Sequence, residues 1–520
     1  MANKFVFASI VGKLFLRPDV KNHEGAPAYS LAPRHKLAQL AATGMLNRTF
    51  YAEPREQLDD ITRLLPEIDP EFMAKTAIYA REKGFMKDTP ALLLAYLSMV
   101  QTEHFSLAFN RVVDNGKMLR NVVQILRSGV TGRKSLGARP KRLVQHWLEN
   151  ASDIEILRAA VGKGPSLADV IKMVHPKPRS AARAALYGYL IGRPHDVSAL
   201  PEIVREFEAF KADPSRKAPD VPFQMLTGLP LTRQHWIDIG RKAGWHMLRM
   251  NLNTFARHKA FEDEAFVDYV ANRLRDETAI RKAKVFPYQL MVAHAMAAKA
   301  PPPIREALQD AMEIAVGNVP AIHGKVVICP DVSGSMASPV TGYRRGASTT
   351  VRCIDVAGLV AAAFLRANRK ARVIPFEQAV VDIDINPRDT VLTNAAKLAS
   401  IGGGGTNCSA PLEQLVAEKA IVDLVVFVSD NESWVDAQRY KSSRTGMMEN
   451  WRKLKARNPE AKLVCINIQP SATTQVVERS DILNIGGFSD AVFEVIGAFH
   501  RGQLSPDHWV GEIEKISLCE

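Results

Sequence analysis

A chain of 520 residues is larger than one hydrophobic core comfortably supports, so it divides into two or more domains. With 47% hydrophobic and 24% charged residues it has the make-up of a globular protein, which excludes wholesale disorder and a fibrous repeat. The net charge of +13 is unevenly spread: residues 1–320 hold 46 Lys and Arg against 33 Asp and Glu, while residues 321–520 hold 22 of each. Residues 101–200 alone carry 16 basic against 7 acidic side chains, which suits either plain solubility or a face that meets a polyanion, nucleic acid foremost.

Apolar runs such as residues 91–100 fall well short of the roughly 20 residues that cross a bilayer, and charges interrupt the first 30 residues where a secretory signal needs an apolar segment. A cytoplasmic location with no membrane partner is the expectation. The five cysteines, Cys329, Cys353, Cys408, Cys465 and Cys519, are odd in number and form no CxxC pair, so reduced thiols are expected rather than a disulfide framework or a thiolate zinc site.

In chain order, residues 31–315 read as a row of short helices, because apolar residues recur at three- and four-residue spacing. Glu71–Lys83, Ala91–Val100, Phe105–Val113, Leu119–Leu126 and Ala181–Leu190 are the clearest cases. Such a row suggests an irregular α-solenoid with an extended concave surface. After Pro301–Pro303 the character changes, and a boundary is expected near 310–322. Strands are then expected at Lys325–Cys329, Ala371–Pro375, Val380–Ile385, Val422–Ser429 and Lys462–Ile468. Helices are expected at Cys353–Arg369, Ala410–Ala420 and Met447–Arg457, and a strand or helix at Val492–Ala498. The alternation predicts an α/β domain with a mostly parallel sheet and a ligand site on the rim of its strand ends.

The first of these strands runs into Asp331-Val332-Ser333-Gly334-Ser335. An acid and two hydroxyls at alternating loop positions can turn oxygens toward one point, as a hard divalent cation requires. Thr406, after the run Gly402–Gly405, and Asp430, ending another strand, are the complements at other strand ends. The blander reading makes the two aspartates helix caps and the glycines a flexible turn. Neither a GK[ST] phosphate loop nor a dinucleotide fingerprint is present.

Asp331, Ser333, Ser335, Thr406 and Asp430 resemble the metal-ion-dependent adhesion site of von Willebrand factor A domains, which implies that the first four coordinate the ion and the last acts through water. The helical part carries a second resemblance. Residues 165–178, PSLADVIKMVHPKP, with Arg249–Asn253, Phe286-Pro287, Asn22–Ala26 and Phe427–Glu432, resemble the TROVE module and A domain of the Ro 60 kDa autoantigen family, its bacterial members above all. The fold this implies is multidomain: an α-helical ring of HEAT-like repeats over residues 1–320, closed by an α/β Rossmann-like A domain over residues 321–520. The resemblance also implies a non-catalytic, monomeric scaffold that binds small noncoding Y RNA on an outer basic surface. Single-stranded 3′ ends of misfolded or precursor RNA would enter a central hole, and exoribonucleases would act as partners through the RNA or the A domain; no DNA specificity is expected. The ion implied is Mg2+, with Ca2+ or Mn2+ as alternatives.

The family pattern makes His175 the first candidate on the Y RNA face, with Lys172, Lys177 and Arg179 beside it and Arg158 and Lys163 upstream. A glycine-interrupted tract, Arg127, Arg133, Lys134, Arg139, Lys141 and Arg142, is a second candidate or simply a solvated loop. Lys242, Arg249, Arg257, Lys282 and Lys284 are the candidates for an inner rim. Tyr187, Tyr189, Trp236, Trp245, Phe255 and Tyr288 offer faces for stacking, yet most of them belong in the core of a solenoid. No spacing of paired carboxylates supports a nuclease. The rival to the RNA scaffold is an adaptor whose ion captures a partner's carboxylate.

Overall fold

The computed structural model describes residues 17–42, 46–49, 51–100, 103–162, 164–283, 285, 287–317, 319, 321–343, 351–437, 444–487, 490–504 and 507–518. Lys163, Lys284, Phe286 and Cys519 therefore lie outside the described residues. The chain forms two compact units, one from residues up to 68, 286–292 and 312–516, the other from 69–285, 293–311 and 517 onward.

Among its described residues the second unit has helices joined by turns and loops and no strand, as the spacing predicts. Its helices include Pro70–Glu82, Asp88–Leu97, His104–Val112, Gly116–Arg127, Asp153–Ala160, Leu167–Val174 and Ala181–Ile191. Starts are fixed by side-chain caps: Ser152 and Glu155, and Ser166 and Asp169, form reciprocal capping boxes. Neighbouring helices touch closely at Gly116, where an added Cβ would stand 2.1 Å from the Cβ of Ala159.

The other unit contains the α/β sequence. Strands β1 (Val20–Lys21), β2 (Pro27–Ser30), β3 (Val326–Pro330), β4 (Arg372–Val373), β5 (Leu424–Ser429), β6 (Lys462–Asn467), β7 (Thr473–Thr474) and β8 (Ile482–Gly486) form two sheets. Five are parallel in the order β4-β3-β5-β6-β8. β3, β5 and β8 are buried at every position, as expected of a sheet covered on both faces. Val327, Cys329, Val425, Phe427, Leu463 and Cys465 alternate onto one face and join a core with Met447 and Trp451. The helix Cys353–Ala367 packs on β3 and β5 as well.

Three features depart from the sequence reading. Residues 380–385 form no strand; Val380 makes a single antiparallel bridge to Phe376, so the β-branched run there is an extended loop. Strand β8 and the helix Val391–Ala399 are absent from the sequence reading, whereas residues 490–500 take the helical one of the two forms expected there. The second sheet, β1-β2-β7, is antiparallel and pairs Tyr29 with Thr474, so the N-terminal segment belongs to the α/β unit.

Glu478 is half-buried, accepts from Asn484 Nδ2 at 2.7 Å, and has a buried Oε1 without a hydrogen-bond partner. Burial pushes its carboxyl up to about 8. Because the folded value lies above the unfolded one, this group's contribution to stability is present in full below about pH 4 and is lost as pH rises toward 8. Glu478→Gln should flatten that part of the pH profile in urea denaturation and raise stability at pH 8; an unchanged slope between pH 5 and 8 would contradict the assignment.

Candidate functional site

Strand order alone fixes where a ligand site falls. After β3 the chain moves to β4 on one side and then to β5 on the other, so the crevice at the carboxyl ends of β3 and β5 is the switch point of the sheet. Register then sets the chemistry: Pro330 pairs with Val428, and the Asp331 N–H donates to the Val428 carbonyl at 3.0 Å. Asp331 follows β3 and Asp430 follows β5, and both are buried.

Around them lie the other residues of the motif. Asp331 Oδ1 accepts from the Ser333 N–H at 2.9 Å, and Oδ2 accepts from the Ser429 hydroxyl. Thr406 Oγ1 donates to Ser333 Oγ at 3.0 Å, Ser333 Oγ lies 3.4 Å from Ser335 Oγ, and Ser335 donates to Asp430 Oδ2. The structure thus brings all five sequence-predicted residues together. Thr406 is delivered by a bent glycine loop: the Gly334 N–H donates to the Gly404 carbonyl at 3.1 Å, and Gly404 has φ +68° with no room for a side chain beside Glu377. The Thr406 carbonyl is held in turn by the N–H groups of Trp434 and Val435. The blander reading of the glycines as a loose turn therefore does not describe the loop.

Electrostatically the pocket is under-compensated. Burial, then the neighbouring Asp430 charge, pushes Asp331 well above the usual carboxylate range, and burial also raises Asp430. Glu432, whose Oε2 accepts from the His23 N–H at 2.8 Å, is raised to about 8 by burial and by Asp430, and its Oε1 has no hydrogen-bond partner. Among the described residues no ion pair reaches Asp331 or Asp430, and no group of three or more His, Cys, Asp or Glu is arranged to hold a metal. Two carboxylates and three hydroxyls, converged and short of positive charge, are a donor set that fits a hard divalent cation.

Sequence reasoning missed the rim of this pocket. Asn22 donates to the Ser433 carbonyl at 2.8 Å and closes a turn through Gly25, φ +76°; His23 stacks on Tyr51 with ring centroids 5.6 Å apart. The Tyr51 hydroxyl is raised by burial and by the Asp430 charge. Only the Asn22–Ala26 segment was visible in the sequence, and only as a resemblance.

The basic candidates scatter. His175 caps the helix Leu167–Val174 in a left-handed conformation, φ 52°, and is exposed with Lys172, Lys177 and Arg179. Its backbone is pinned by Gln145 Nε2, which donates to the Val174 carbonyl at 2.6 Å. Arg179 reaches Asn150 at 3.1 Å and Glu149 at 3.4 Å, so part of its charge is spent locally. Arg133 is held within the chain as well, donating to Ser98 Oγ at 2.6 Å, whereas Arg127, Lys134, Arg139 and Arg142 are exposed and Lys141 is half-buried. Arg249 sits over the Trp245 ring; Arg257 and Lys282 are exposed. Arg158 and Lys242, assigned above to different surfaces, line one cleft of the helical unit. Tyr187, Trp236, Trp245 and Phe255 are core residues, while Tyr189 and Tyr288 are half-buried.

A parallel sheet with an oxygen-lined site at its switch point, following a set of short helices, defines a von Willebrand factor A-type domain joined to a helical module. The model of the Ro60 vWA domain matches residues 325–500. The RNA-binding protein RO60 of Deinococcus radiodurans is 26% identical over 537 aligned residues, covering 93% of this chain and 96% of that one. The RNA-binding protein RO60 of Caenorhabditis elegans is 22% identical over 256, covering 46% and 38%. Among solved structures, the crystal structure of the Deinococcus radiodurans RO (RSR) protein is similar with a TM-score of 0.64 at 22% identity, covering 91% of this chain and all of that one. Residues 325–500 therefore form an A domain of the Ro60 type, and over nearly its whole length the chain is similar to a bacterial RO60 protein.

Removing one of two neighbouring buried charges relieves their repulsion. In EDTA at pH 8, Asp331→Asn should therefore raise the thermal midpoint above that of the wild type; a lower midpoint would show that the carboxylate is compensated by something other than a cation.

Proposed function

We propose that the protein is a non-catalytic RNA-binding scaffold. The observation that carries this reading is similarity over 93% of the chain to a protein named RNA-binding protein RO60. The basic excess of residues 1–320 supports it, since phosphate contacts supply most of a protein's affinity for nucleic acid. In finer detail, the exposed group His175, Lys172 and Lys177 at the end of the helix Leu167–Val174 binds a small structured RNA of the Y type. Other basic residues hold single-stranded 3′ ends of misfolded or precursor RNA for exoribonucleases that act on them. The lysines give salt-dependent phosphate contacts, and the exposed His175 imidazole can stack on or bond to a base.

In the same proposal Asp331, Ser333, Ser335 and Thr406 hold one divalent cation, Mg2+ in the cell, with Asp430 behind them. The ion supplies positive charge to two buried carboxylates, and its role is to brace the strand ends. The chain's own residues position the oxygens through the hydroxyl chain from Thr406 to Ser333.

Binding of the purified protein to a Y-type RNA and to a duplex with a single-stranded 3′ tail, measured across a salt series, tests the RNA reading. His175→Ala with Lys172→Ala should weaken the Y-type RNA about tenfold or more, largely spare the tailed duplex, and leave both RNAs uncut. Binding of neither RNA above a polyanion control would refute the reading and favour the adaptor. For the ion, Mg2+ should raise the thermal midpoint of the wild type and leave that of Thr406→Ala or Asp331→Asn nearly unchanged; no Mg2+ effect on the wild type would remove the ion from the account.

A further inference from the structure

The run Val380-Val381-Asp382-Ile383-Asp384-Ile385 has the pattern of a strand, and the structure gives it no strand to pair with. It stands at an edge of the parallel sheet. β4 is the outermost strand on its side, and the chain turns back beside its end: the Glu377 N–H donates to the Ala379 carbonyl at 2.9 Å, Val380 bridges Phe376, and the Val381 N–H donates to the Pro375 carbonyl at 2.9 Å. This is the start of an antiparallel hairpin, and it goes no further. The next backbone group to be held is the Asn386 carbonyl, which accepts from Asn394 Nδ2 at 2.7 Å. Between these two points, the N–H and carbonyl groups of Asp382, Ile383, Asp384 and Ile385 form no hydrogen bond among the described residues.

Side chains along this stretch alternate as a strand requires. Val381, Ile383 and Ile385 are half-buried, whereas Asp382 and Asp384 are exposed. Backbone groups alternate with them: because the Val381 N–H points back at Pro375, those of Asp382 and Asp384 point away from the sheet. Extended backbone with free donors and acceptors and a two-faced side-chain pattern is a template for strand addition.

Charge narrows what can be added. Residues 377–389 hold Glu377, Asp382, Asp384 and Asp389 against Arg388 alone. Cations on the flanking elements are engaged elsewhere, Arg372 with Glu418, Lys397 with Asp389 at 3.0 Å, and Arg366 with Glu313 at 3.3 Å. Among the described residues neither Asp382 nor Asp384 enters an ion pair. A strand added antiparallel sets one side chain directly opposite each aspartate on the same face, with Cβ atoms about 5 Å apart. A second copy of this edge would bring aspartate against aspartate, and a nucleic acid would bring phosphate. Both are repelled, while a segment with Lys or Arg at every second position is attracted.

We propose that residues 382–385 are a docking edge for an extended, basic segment of a partner protein. The segment adds to the A domain as an antiparallel strand, with Lys or Arg opposite Asp382 and Asp384 and an apolar residue opposite Ile383. Antiparallel is the sense in which a short added strand pairs more stably. The edge uses neither the oxygen-lined pocket nor the basic surfaces, so the proposal stands independently of the RNA reading.

An acetylated and amidated hexapeptide of alternating Lys and Val, added to the full chain, tests it. Binding is read by anisotropy of a labelled copy and by amide hydrogen exchange over residues 380–386. The peptide should slow exchange there about tenfold or more at saturation and leave β5 unchanged. Methylating the backbone nitrogens of its lysines keeps the charge but removes the donors that face the edge, and should weaken binding about tenfold or more; methylating those of its valines, which face away, should cost little. Asp382→Lys/Asp384→Lys alters exposed side chains only, and its thermal midpoint checks that it folds. It should lose the Lys and Val peptide and take an alternating Glu and Val peptide in its place. Absence of protection over 380–386 at millimolar peptide would overturn the proposal, and so would equal binding of the lysine-methylated peptide, which would reduce the contact to charge alone. Self-association of the wild type that the peptide reverses would make a second copy the occupant and overturn it too.

Discussion

Two carboxylates share one buried pocket because two parallel strands end level with each other. The pairing of Pro330 with Val428 fixes that, and the surrounding α/β unit is arranged about the consequence. Like charges in a low-dielectric site repel strongly, so the neighbouring chain is committed to hydrogen-bonding them: Ser333, Ser335 and Ser429 all point hydroxyl or amide donors at the aspartates. The glycine loop exists to bring Thr406 into the same shell, and the N-terminal turn brings a further backbone donor to Glu432. A serine or threonine hydroxyl is a neutral donor, so the network satisfies geometry without neutralising charge, and that division of labour is what leaves a place for a cation.

The helical unit meets the mirror problem. There the Arg120 guanidinium is buried, and the backbone carbonyls of a left-handed loop at Gly162 satisfy its donors without supplying negative charge. One unit therefore stores unbalanced negative charge and the other unbalanced positive charge, each partly solvated by its own chain. The uneven distribution of Lys and Arg along the sequence has a structural counterpart at these two places.

How much of this was legible depends on whether the signal was local. Helices with a strong apolar face, such as Gly116–Arg127, and strands with long β-branched runs, such as β5, were visible because burial writes a period into neighbouring residues. Strand β8 was hidden because Ile482–Gly486 contains Asn484, whose side chain is satisfied by Glu478 and Thr474 rather than by water. Residues 380–385 misled in the opposite direction, since β-branched residues favour extended backbone whether or not a partner strand is available. The ion-site residues could be picked out because each follows a strand end and the oxygen types are distinctive. The basic surfaces could not: whether Arg133 faces RNA or Ser98, and whether Arg158 and Lys242 meet, depends on packing between helices far apart in sequence. Arg120 carried only a faint mark, a single cation among Met118, Leu119, Val122 and Val123.

The strand pairing of Tyr29 with Thr474 has a consequence for how the molecule is made. A chain emerging from a ribosome exposes residues 20–30 hundreds of residues before their partner strand exists, and an unpaired edge strand is an invitation to wrong pairing. β1 is two residues long and β2 four, and Pro27 opens the latter with no N–H to offer. So short an edge is a poor template for another chain, and the hairpin can wait through synthesis of the helical unit at little risk. Its late docking, which sets Asn22 and His23 beside Ser433 and Glu432, then serves as a closing step that reports the α/β unit complete.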